Sequence, residues 1–505
     1  MSINPINLNQ VSLPAQTLNK SRVNRYPWLP ITLVMVLATA LSFYRIDAEG
    51  LWIDELTSVE NAQGPLWKVR VRPLYFVLLK VWLYFGESDA WLRSLSVVFA
   101  IATTFLLYRL GRRLLGETEG IIAATLLTLS PLFLNHAQEV RMYVLCTCMG
   151  LAGTLCLANA LTDEKAKGPT HISLAGWCFF RVLALLAVPL NLTLLLPDVI
   201  IYGLHFRQRR SALIRFGIGL GLIILLWSPF VLSVVQATAP DSAYAAHHPG
   251  RNPPELANLV RTLKFWTVWP FAIQASAISS GFYKVVTLLL AGVMGAALVQ
   301  KHKTPGVLWA AAWFMLPLVP ILAYSFISIP IWVNRYLLFI SPYLFLVIAA
   351  GLSRLWRQWR IAAVILALVY LIAAGGGLVR YYSVQDRPDY KFITETIEQY
   401  KQPADVVVWG LFAQKVVLNH YSLGETRVYE NKTRGVDSEA DIEQWLDNFP
   451  DISSRLWLVI KVKEKDYPQF EQQIKARYNL KKKFDYEQGS KVILLSQQKS
   501  VTPQK

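Results

Sequence analysis

Long apolar runs separated by short polar loops occupy the chain up to about residue 379. An apolar run of about 18 or more residues with few charges is long enough to cross a membrane as a helix. We therefore predict a polytopic α-helical membrane protein with about eleven spans. The spans are expected at residues 26–44, 90–110 and 120–135, in a run that ends near residue 160, as a hairpin within 173–204, and at 213–236, 281–300, 305–327, 336–352 and 361–379.

One apolar run, residues 73–86, is too short to cross. Its length of about 14 residues reaches roughly 20 Å as a helix, against about 30 Å of hydrocarbon. We therefore predict a helix that lies at the membrane surface. Loop charges agree, because basic residues collect in cytoplasmic loops, and the arginines of 109–113 are inside only if 73–86 does not cross. The cytoplasmic N-terminal tail is then 1–25, and the first outer loop is 45–89.

The composition changes at Arg380, where the long apolar runs end. Beyond the predicted transmembrane domain, 26–379, helix-like and strand-like stretches alternate, which indicates a small extracytoplasmic α/β domain over 380–505. No glycine-rich phosphate loop follows a predicted strand, so we assign this domain no nucleotide. The predicted helices are 389–401, 438–449 and 469–478, and the predicted strands are 405–409, 426–429, 456–461 and 491–495.

The composition supports a membrane protein. Hydrophobic residues make up 54% of the chain and the mean hydropathy is +0.36, above the usual range of soluble proteins. The net charge of +17 fits positive-inside loops better than a nucleic-acid surface, since the basic residues lie between apolar runs. We place the chain in the cell (inner or plasma) membrane. The four cysteines lack zinc-site spacing and are expected to be buried as small apolar side chains.

Two adjacent carboxylates, Asp54 and Glu55, follow the first span. Neighbours on a helix point about 100° apart, so we expect them to do different work. One can act as general base towards a hydroxyl, and the other can orient a partner or bind a cation. A solvated acidic pair at a helix end is the alternative interpretation.

A second polar group, Glu139, Arg141 and Tyr143, lies in the turn between the third and fourth spans. Charges this close to hydrocarbon are costly and are often functional. On a regular helix Glu139 and Tyr143 share a face and Arg141 lies about 200° away, so the three converge only if the turn is irregular. Arg141 suits phosphate oxygens, although an arginine that snorkels to lipid headgroups and pairs with Glu139 fits the pattern as well.

Several further side chains are weaker candidates. Arg335 and Tyr336 offer a second outer cation and a hydrogen-bonding ring, or an interfacial anchor. Lys80, within the short helix, is either a contact for lipid phosphate or a snorkelling side chain. His247 and His248 are possible metal ligands, but adjacent histidines lack helical spacing and are more simply solvent-exposed.

A set of short motifs over residues 45–150 resembles a known family. Each motif alone is weak evidence, but the occurrence of all of them in the family's order makes the set specific. The motifs are Asp54-Glu55, Pro73-Leu-Tyr75, Gly86-Glu-Ser, Ala90-Trp-Leu-Arg93, Leu110-Gly-Arg-Arg-Leu-Leu-Gly116, Ser130-Pro131 and Gln138-Glu-Val-Arg-Met-Tyr143, followed more loosely by Asn334-Arg-Tyr336 and Pro342. The chain resembles the GT-C membrane glycosyltransferases, a family-39-like group related to protein O-mannosyltransferases and the bacterial aminoarabinose transferase.

The resemblance implies inverting transfer of a sugar from a polyprenyl-phosphate donor, on the outer face of the membrane. It implies that Asp54 is the general base, and that Glu55 orients the acceptor or helps to hold a cation. Arg141 and Arg335 would stabilise the lipid-phosphate leaving group. Arg72 stands where many relatives have a first proline. Some relatives use a divalent metal ion, which stays open here because no full ligand set is recognisable.

Two other functions remain as alternatives. A transporter or flippase for a lipid-linked saccharide would place charges along a path through the bundle, whereas here they cluster on the predicted outer side. A non-catalytic scaffold would use the C-terminal domain to bind partners. The expected partners of a transferase are the polyprenyl-phosphate-sugar donor and membrane lipids, with a lipid, a protein or a glycan as acceptor, and no nucleic acid.

Overall fold

The protein is a bundle of apolar helices followed by a segment that contains a small sheet. A computed structural model describes residues 28–162, 171–239, 254–268, 277–299, 304–384, 387–433, 439–449, 455–462, 464, 466–486 and 489–497. The predicted tail 1–25 and the candidate ligands His247 and His248 lie outside these residues.

The helices of the bundle follow the predicted apolar runs closely. They are α1 (Leu29–Phe43), α2 (Ile53–Gln63), α3 (Pro73–Leu83), α4 (Asp89–Leu114), α5 (Glu117–Thr128), α6 (Pro131–Ala137), α7 (Tyr143–Thr162), α8 (His171–Ala187), α9 (Leu195–His205), α10 (Arg210–Ala237), α11 (Leu256–Thr267), α12 (Ala277–Leu298), α13 (Pro305–Met315), α14 (Leu318–Ile327), α15 (Ser341–Gln358) and α16 (Arg360–Ser383).

Seven helical stretches of the described chain are long and apolar enough to cross a membrane. They are eight if α5 and α6, which meet at 67°, form one broken span. The helices α1, α3 and α8 are apolar but shorter. A polytopic helical membrane protein is thus confirmed, and the predicted count of eleven spans is not. The expected third span, 120–135, is divided between α5 and α6: Pro131 begins a new helix, capped by the Ser130 hydroxyl, because proline cannot extend the ladder of α5.

The centre of the bundle holds a buried ion pair that the sequence did not reveal. Arg181 of α8 and Asp198 of α9 are 1% and 0% exposed, and Arg181 Nε donates to Asp198 Oδ2 at 2.7 Å. Two indoles, from Trp177 and Trp313, donate to the same carboxylate at 2.8 and 2.9 Å. Each charge therefore has hydrogen-bond partners, as burial in a low-dielectric interior requires.

The segment after α16 folds around a mixed five-stranded sheet. Its elements are α17 (Tyr390–Tyr400), β1 (Val406–Trp409), α18 (Gln414–His420), β2 (Arg427–Glu430), α19 (Glu439–Asp447), β3 (Arg455–Lys461), α20 (Tyr467–Arg477), β4 (Tyr478–Asp485) and β5 (Ser490–Gln497). The strand order is β2-β1-β3-β5-β4, with β1, β2 and β3 parallel and β5 antiparallel to both neighbours. All the predicted strands and helices of this segment are present, and α18 and β4 were not predicted.

A polar contact attaches this segment to the bundle. The Asp89 carboxylate at the start of α4 accepts hydrogen bonds from Tyr421 at 2.9 Å and lies 3.1 Å from His420 Nε2. The Tyr421 hydroxyl in turn accepts from the backbone N–H of Leu51 at 2.7 Å. The C-terminal segment therefore packs directly against the loop that leads into α2.

Replacing Gly50 by Val is expected to weaken the contact between the C-terminal segment and the loop that leads into α2. A Cβ at position 50 would lie 2.7 Å from Lys391 Cβ and 3.3 Å from the Tyr421 hydroxyl, closer than side chains pack without a backbone shift. We expect faster protease cleavage of the C-terminal segment in the purified variant. Gly64→Val is the matched control, since its Cβ would approach its neighbours only to 3.4 Å. Equal cleavage of the two variants and the parent would contradict this close contact.

Candidate active site

The helix α2 presents the two adjacent carboxylates in different directions. It begins at Ile53, and the Glu55 carboxylate accepts a hydrogen bond from the backbone N–H of Trp52 at 3.2 Å, which caps the first turn. Asp54 lies on the next face, about 100° around the axis. The side chain of Glu55 is completely buried, and that of Asp54 is 30% exposed. Only Asp54 is accessible to a substrate.

Glu55 is the centre of a buried polar network. Arg93 of α4 donates to both of its oxygens, at 3.0 and 2.9 Å. The backbone N–H of Val140 donates to Oε1 at 2.9 Å, and Arg387 lies 3.4 Å from Oε2. Since the carboxylate is enclosed by donors from separate elements, the geometry favours a structural role over the expected acceptor contact.

Arg93 fixes the loop that carries the carboxylates. Besides binding Glu55, its guanidinium donates to the backbone carbonyls of Ile46, Glu49 and Gly50 at 2.8, 2.7 and 3.0 Å. The side chain is 1% exposed. A buried guanidinium with every contact to an acceptor is strongly favoured in one geometry. The path of residues 46–50 into α2 is therefore set by this arginine.

Asp54 lies between two guanidinium groups. Its Oδ2 is 3.5 Å from Arg141 Nη2 and 3.3 Å from Arg335 Nη1. Arg141 also donates to the backbone carbonyl of Asp54 at 2.9 Å and to Ser58 Oγ at 3.2 Å. The three charged side chains come from α2, the turn before α7 and the turn before α15. The structure thus brings together the predicted base and both predicted phosphate-binding arginines.

The turn between α6 and α7 is irregular, and this decides where its charges point. Residues 138–142 are not helical. Arg141 turns towards Asp54, and its Nη2 lies 3.4 Å from the Tyr143 hydroxyl. Glu139 turns the other way, to His136 Nδ1 at 2.7 Å and to Arg387 at 3.5 Å. The alternative pairing of Glu139 with Arg141 is therefore not observed, because Glu139 pairs with His136 and Arg387, and Arg141 pairs with Asp54.

The charge of Glu139 is stabilised by cations. Burial alone would raise the pKa of this carboxyl, but His136, Arg387 and Arg141 outweigh it and lower the pKa to about 2. Burial likewise opposes the charged form of Arg141, while Tyr143 and Asp54 raise its pKa above the ordinary arginine value. Both groups are therefore ionised over the physiological pH range.

Both arginines beside Asp54 have an Nε–H donor that the described residues do not use. The Nε atoms of Arg141 and Arg335 are buried and make no hydrogen bond with any described residue. Arg335 lies over the rings of Trp52 and Tyr336, at 6.0 and 5.5 Å from their centroids. Aromatic faces hold a guanidinium in place without using its N–H groups. These donors are available to an anion with more oxygens than the single Asp54 carboxylate presents.

The tyrosines and Lys80 take different places. Tyr143 and Tyr336 lie side by side, with ring centroids 6.1 Å apart, and they flank the two arginines. Lys80 instead donates to the carbonyls of Gln63 and Gly64 at 3.5 and 3.1 Å. These carbonyls are at the end of α2 opposite to Asp54, about 15 Å along the axis. The structure does not bring Lys80 to the arginine pair.

No metal centre is recognisable in the described part of the chain. Its His, Cys, Asp and Glu side chains form no group of three or more that could hold an ion. Asp54, Glu55 and Glu139 each face arginine or histidine donors, and such cations compete with a metal for carboxylate oxygens. The described residues of this site therefore do not fit a resident divalent ion.

Sequence reasoning missed two important members of the network. Arg93 belongs to a motif that carried the family resemblance, but no role was assigned to it. Arg387 contacts Glu49, Glu55 and Glu139 at 3.4, 3.4 and 3.5 Å from beyond the last helix of the bundle. Nothing near Arg387 in the sequence signals a return to residues more than two hundred positions earlier.

Comparisons with known proteins agree with this architecture. The family model described as dolichyl-phosphate-mannose-protein mannosyltransferase matches residues 72–232, a range that includes Arg93 and Arg141 but not Asp54. No curated protein sequence matches the chain. The structure resembles ArnT from Cupriavidus metallidurans bound to undecaprenyl phosphate, at 12% identity and a TM-score of 0.59, over 95% of this chain and all of that one. The chain thus has the fold of the GT-C membrane glycosyltransferases, and part of it matches a mannosyltransferase family model.

Two further GT-C structures support this placement. The Archaeoglobus fulgidus oligosaccharyltransferase, tethered to an acceptor peptide, matches 93% of this chain and 74% of its own, at 10% identity and a TM-score of 0.54. The mycobacterial arabinofuranosyltransferase AftD matches 94% of this chain and 42% of its own, at 13% identity and a TM-score of 0.50. At such identities the likeness concerns the fold, so the chemistry of this chain has to be argued from its own side chains.

Proposed function

We propose that this glycosyltransferase transfers a sugar from a polyprenyl-phosphate donor to a hydroxyl group, with inversion at the anomeric carbon. The observation that carries the proposal is the accessible Asp54 carboxylate between Arg141 and Arg335, at 3.5 and 3.3 Å. A base beside two guanidinium groups supplies both needs of such a transfer, a proton acceptor and a site for a departing phosphate.

The chemistry follows from this arrangement. Asp54 takes the proton of the acceptor hydroxyl while the oxygen of that hydroxyl forms a bond to the anomeric carbon. The bond from that carbon to the phosphate oxygen breaks, and the lipid phosphate leaves with the electron pair. Charge grows on the phosphate as the bond breaks, and preorganised cations stabilise it most in the transition state. The Nε–H groups of Arg141 and Arg335, which have no partner among the described residues, can donate hydrogen bonds to this phosphate.

The donor class is supported by two relatives. One structure of ArnT is bound to undecaprenyl phosphate, and one of the archaeal oligosaccharyltransferase AglB, at 11% identity and a TM-score of 0.51, contains a dolichol-phosphate. A lipid phosphate carries one anion next to an apolar tail, which matches a cationic pocket beside apolar helices. Neither the described residues nor the comparisons favour the transporter alternative.

We also propose that the site faces away from the cytoplasm. Basic residues at the other ends of the helices, such as Arg112 and Arg113 in the last turn of α4, indicate the inner side by the positive-inside rule. The helix α3, 11 residues and about 16 Å long, is then a surface element on the outer side, and the sheet-bearing segment is extracytoplasmic. Cysteine labelling from outside intact cells at position 54 tests this orientation.

Arginine substitutions test the assignment of the leaving group. Arg141→Gln and Arg335→Gln are each expected to lower kcat by about 10²-fold or more, because the departing phosphate loses a charged donor. The measurement is release of polyprenyl phosphate by the purified chain in nanodiscs, with a panel of polyprenyl-phosphate sugars as donors and NMR of the product anomer. Arg70→Gln, at an exposed arginine between α2 and α3, is the control.

Three outcomes would count against the proposal. A product that retains the anomeric configuration of the donor would exclude a direct displacement with Asp54 as base. Full activity of the Arg335→Gln variant, with an unchanged thermal transition, would remove the phosphate role from this side chain. Movement of intact lipid-linked sugar across vesicles, with no glycosidic product, would favour a transporter instead.

A further inference from the structure

A pocket of about 440 Å³ opens where the sheet-bearing segment meets α2. It lies at the carboxyl ends of the parallel strands, because residues that directly follow β1 and β2 and the last residue of β3 line it. The lining residues are Ile53, Pro388, Tyr390, Gly410, Leu411, Phe412, Lys432, Thr433, Lys461 and Ser490. The pocket is thus built by both parts of the molecule.

The sheet topology makes this edge a natural ligand site. From β1 the chain proceeds to β2 on one side, and from β2 it crosses to β3 on the other side of β1. In open α/β sheets, ligands bind in the crevice at the carboxyl ends of the strands, where the strand order reverses. That reversal occurs here between β1 and β3, the strands that end at Trp409 and Lys461.

Hydrogen bonds join the carboxyl ends of β1, β2 and β3 at the floor of the pocket. Thr433 donates through its N–H and its hydroxyl to the Gly410 carbonyl, at 3.0 and 3.1 Å. The Gly410 N–H donates to the Val459 carbonyl at 2.7 Å. A Cβ at position 410 would lie 2.8 Å from that carbonyl oxygen, so only glycine fits. The floor is therefore fixed before any ligand arrives.

The polar groups of the pocket suit an anion. Two of its described lining residues, Lys432 and Lys461, are cationic, and none is acidic. Lys432 is half-exposed and lies 3.2 Å from Glu430. Ser490 is completely buried, and its hydroxyl has no hydrogen-bond partner in the part of the chain that the structure describes. A buried hydroxyl without a partner is costly, and an oxygen of a ligand in this pocket would satisfy it.

The walls suit a saccharide. Phe412 is 55% exposed, and Lys432 Nζ lies 5.9 Å from its ring centroid. An exposed aromatic face next to a cation can pack on the apolar face of a sugar ring while the cation meets a charged substituent. Burial lowers the pKa of Lys461, and an anion beside this side chain would favour its charged form.

The pocket is also close to the reaction centre in the chain. Ile53 lines it, and the next residue is Asp54. The pocket therefore borders the first turn of the helix that carries the Asp54 carboxylate.

We propose that this pocket binds the acceptor, and that the acceptor is an anionic saccharide, with a phosphate or carboxylate group held by Lys432 and Lys461. The inference rests on the proposed transferase function, since it assigns the second substrate of that reaction. It gives the sheet-bearing segment a defined task, selection of the acceptor by charge.

Binding of simple probes tests the proposal on the full chain in nanodiscs of neutral phosphatidylcholine. Saturation-transfer NMR is recorded with mannose 6-phosphate, glucuronic acid and uncharged mannose. We expect the anionic probes to bind at least tenfold more tightly than mannose. The Lys432→Gln/Lys461→Gln variant is expected to lose this preference, and Lys475→Gln/Lys481→Gln, in the same sheet-bearing segment but outside the pocket, to keep it.

The outcomes separate the pocket from the chemistry. Asp54→Asn should retain the preference for anionic probes although it does not transfer sugar, and a loss of transfer with retained binding supports the pocket alone. Equal binding of mannose and mannose 6-phosphate, or an unchanged preference in the double lysine variant, would overturn the proposal. Thermal protection by phosphatidylglycerol in the nanodisc, without binding of soluble anionic sugars, would assign the lysines to lipid headgroups and overturn it as well.

Discussion

Asp54→Asn is expected to reduce sugar transfer by about 10²- to 10⁴-fold, the usual contribution of a general base. The amide has nearly the same shape as the carboxylate but cannot accept the proton of the acceptor hydroxyl. Folding should be little affected, because Asp54 is 30% exposed and Arg141 remains attached to the backbone carbonyl of residue 54 at 2.9 Å. The measurement is the single-turnover rate of product formation at saturating donor.

The control for this variant is Asp47→Asn, at an exposed aspartate of the loop that leads into α2, which should keep the parental rate. The thermal transition of Asp54→Asn should match that of the parent within about 2 °C, which separates a loss of chemistry from a loss of fold. An Asp54→Asn enzyme with more than a tenth of the parental rate would remove Asp54 from the role of base.

Glu55→Gln is expected to destabilise the protein by about 3–5 kcal/mol, the usual cost of removing one partner from a buried charge pair. Arg93, which is 1% exposed, would lose its counter-ion while still enclosed. Arg387 would lose one of its three carboxylate partners. Thermal unfolding in detergent, followed by tryptophan fluorescence, should show a transition lowered by several degrees and a lower yield of folded protein.

Glu60→Gln, at an exposed position of the same helix, is the matched control and should leave the transition unchanged. Arg93→Gln should be destabilising on its own, and the double variant Glu55→Gln/Arg93→Gln should be less destabilised than the sum of the two, because the charges are removed together. A Glu55→Gln variant that is stable but inactive would instead place Glu55 among the residues that contact substrate.

The adjacent carboxylates illustrate what the sequence could reveal. Helical geometry alone predicted that Asp54 and Glu55 face different surroundings, and the resemblance pointed to Arg141 and Arg335. The irregular turn that brings Arg141 to Asp54 could be recognised only as a condition, because the conformation of residues 138–142 depends on contacts with Gln138 and Glu139 made by distant parts of the chain.

Polar contacts between residues that are far apart in the sequence could not be predicted. The carboxylate of Asp89 meets His420 and Tyr421 more than three hundred residues later, and no periodicity or motif encodes such a pairing. The same holds for Arg181 and Asp198, which lie within predicted spans and look like isolated charges. Their identity as partners appears only when the packing of α8 on α9 is known.

Local pattern predicted the sheet better than it predicted the bundle. Strands β1 and β3 are short apolar runs between polar turns, whereas β4 contains three consecutive lysines at 481–483 and is mostly exposed, so it lacks the alternation of a half-buried strand. In the bundle, hydropathy located the apolar stretches. It did not show that Pro131 divides one of them, nor how many of the rest are long enough to cross.

The place of Arg387 limits how such a protein can be recombined. A chimera that joined the helices through Ser383 to a foreign soluble domain would keep every long apolar helix of the described chain and still enclose Glu55 and Glu139 with one guanidinium fewer. Exchange of extramembrane parts between relatives therefore has to preserve an arginine just past the junction, or to lose a carboxylate at the same time.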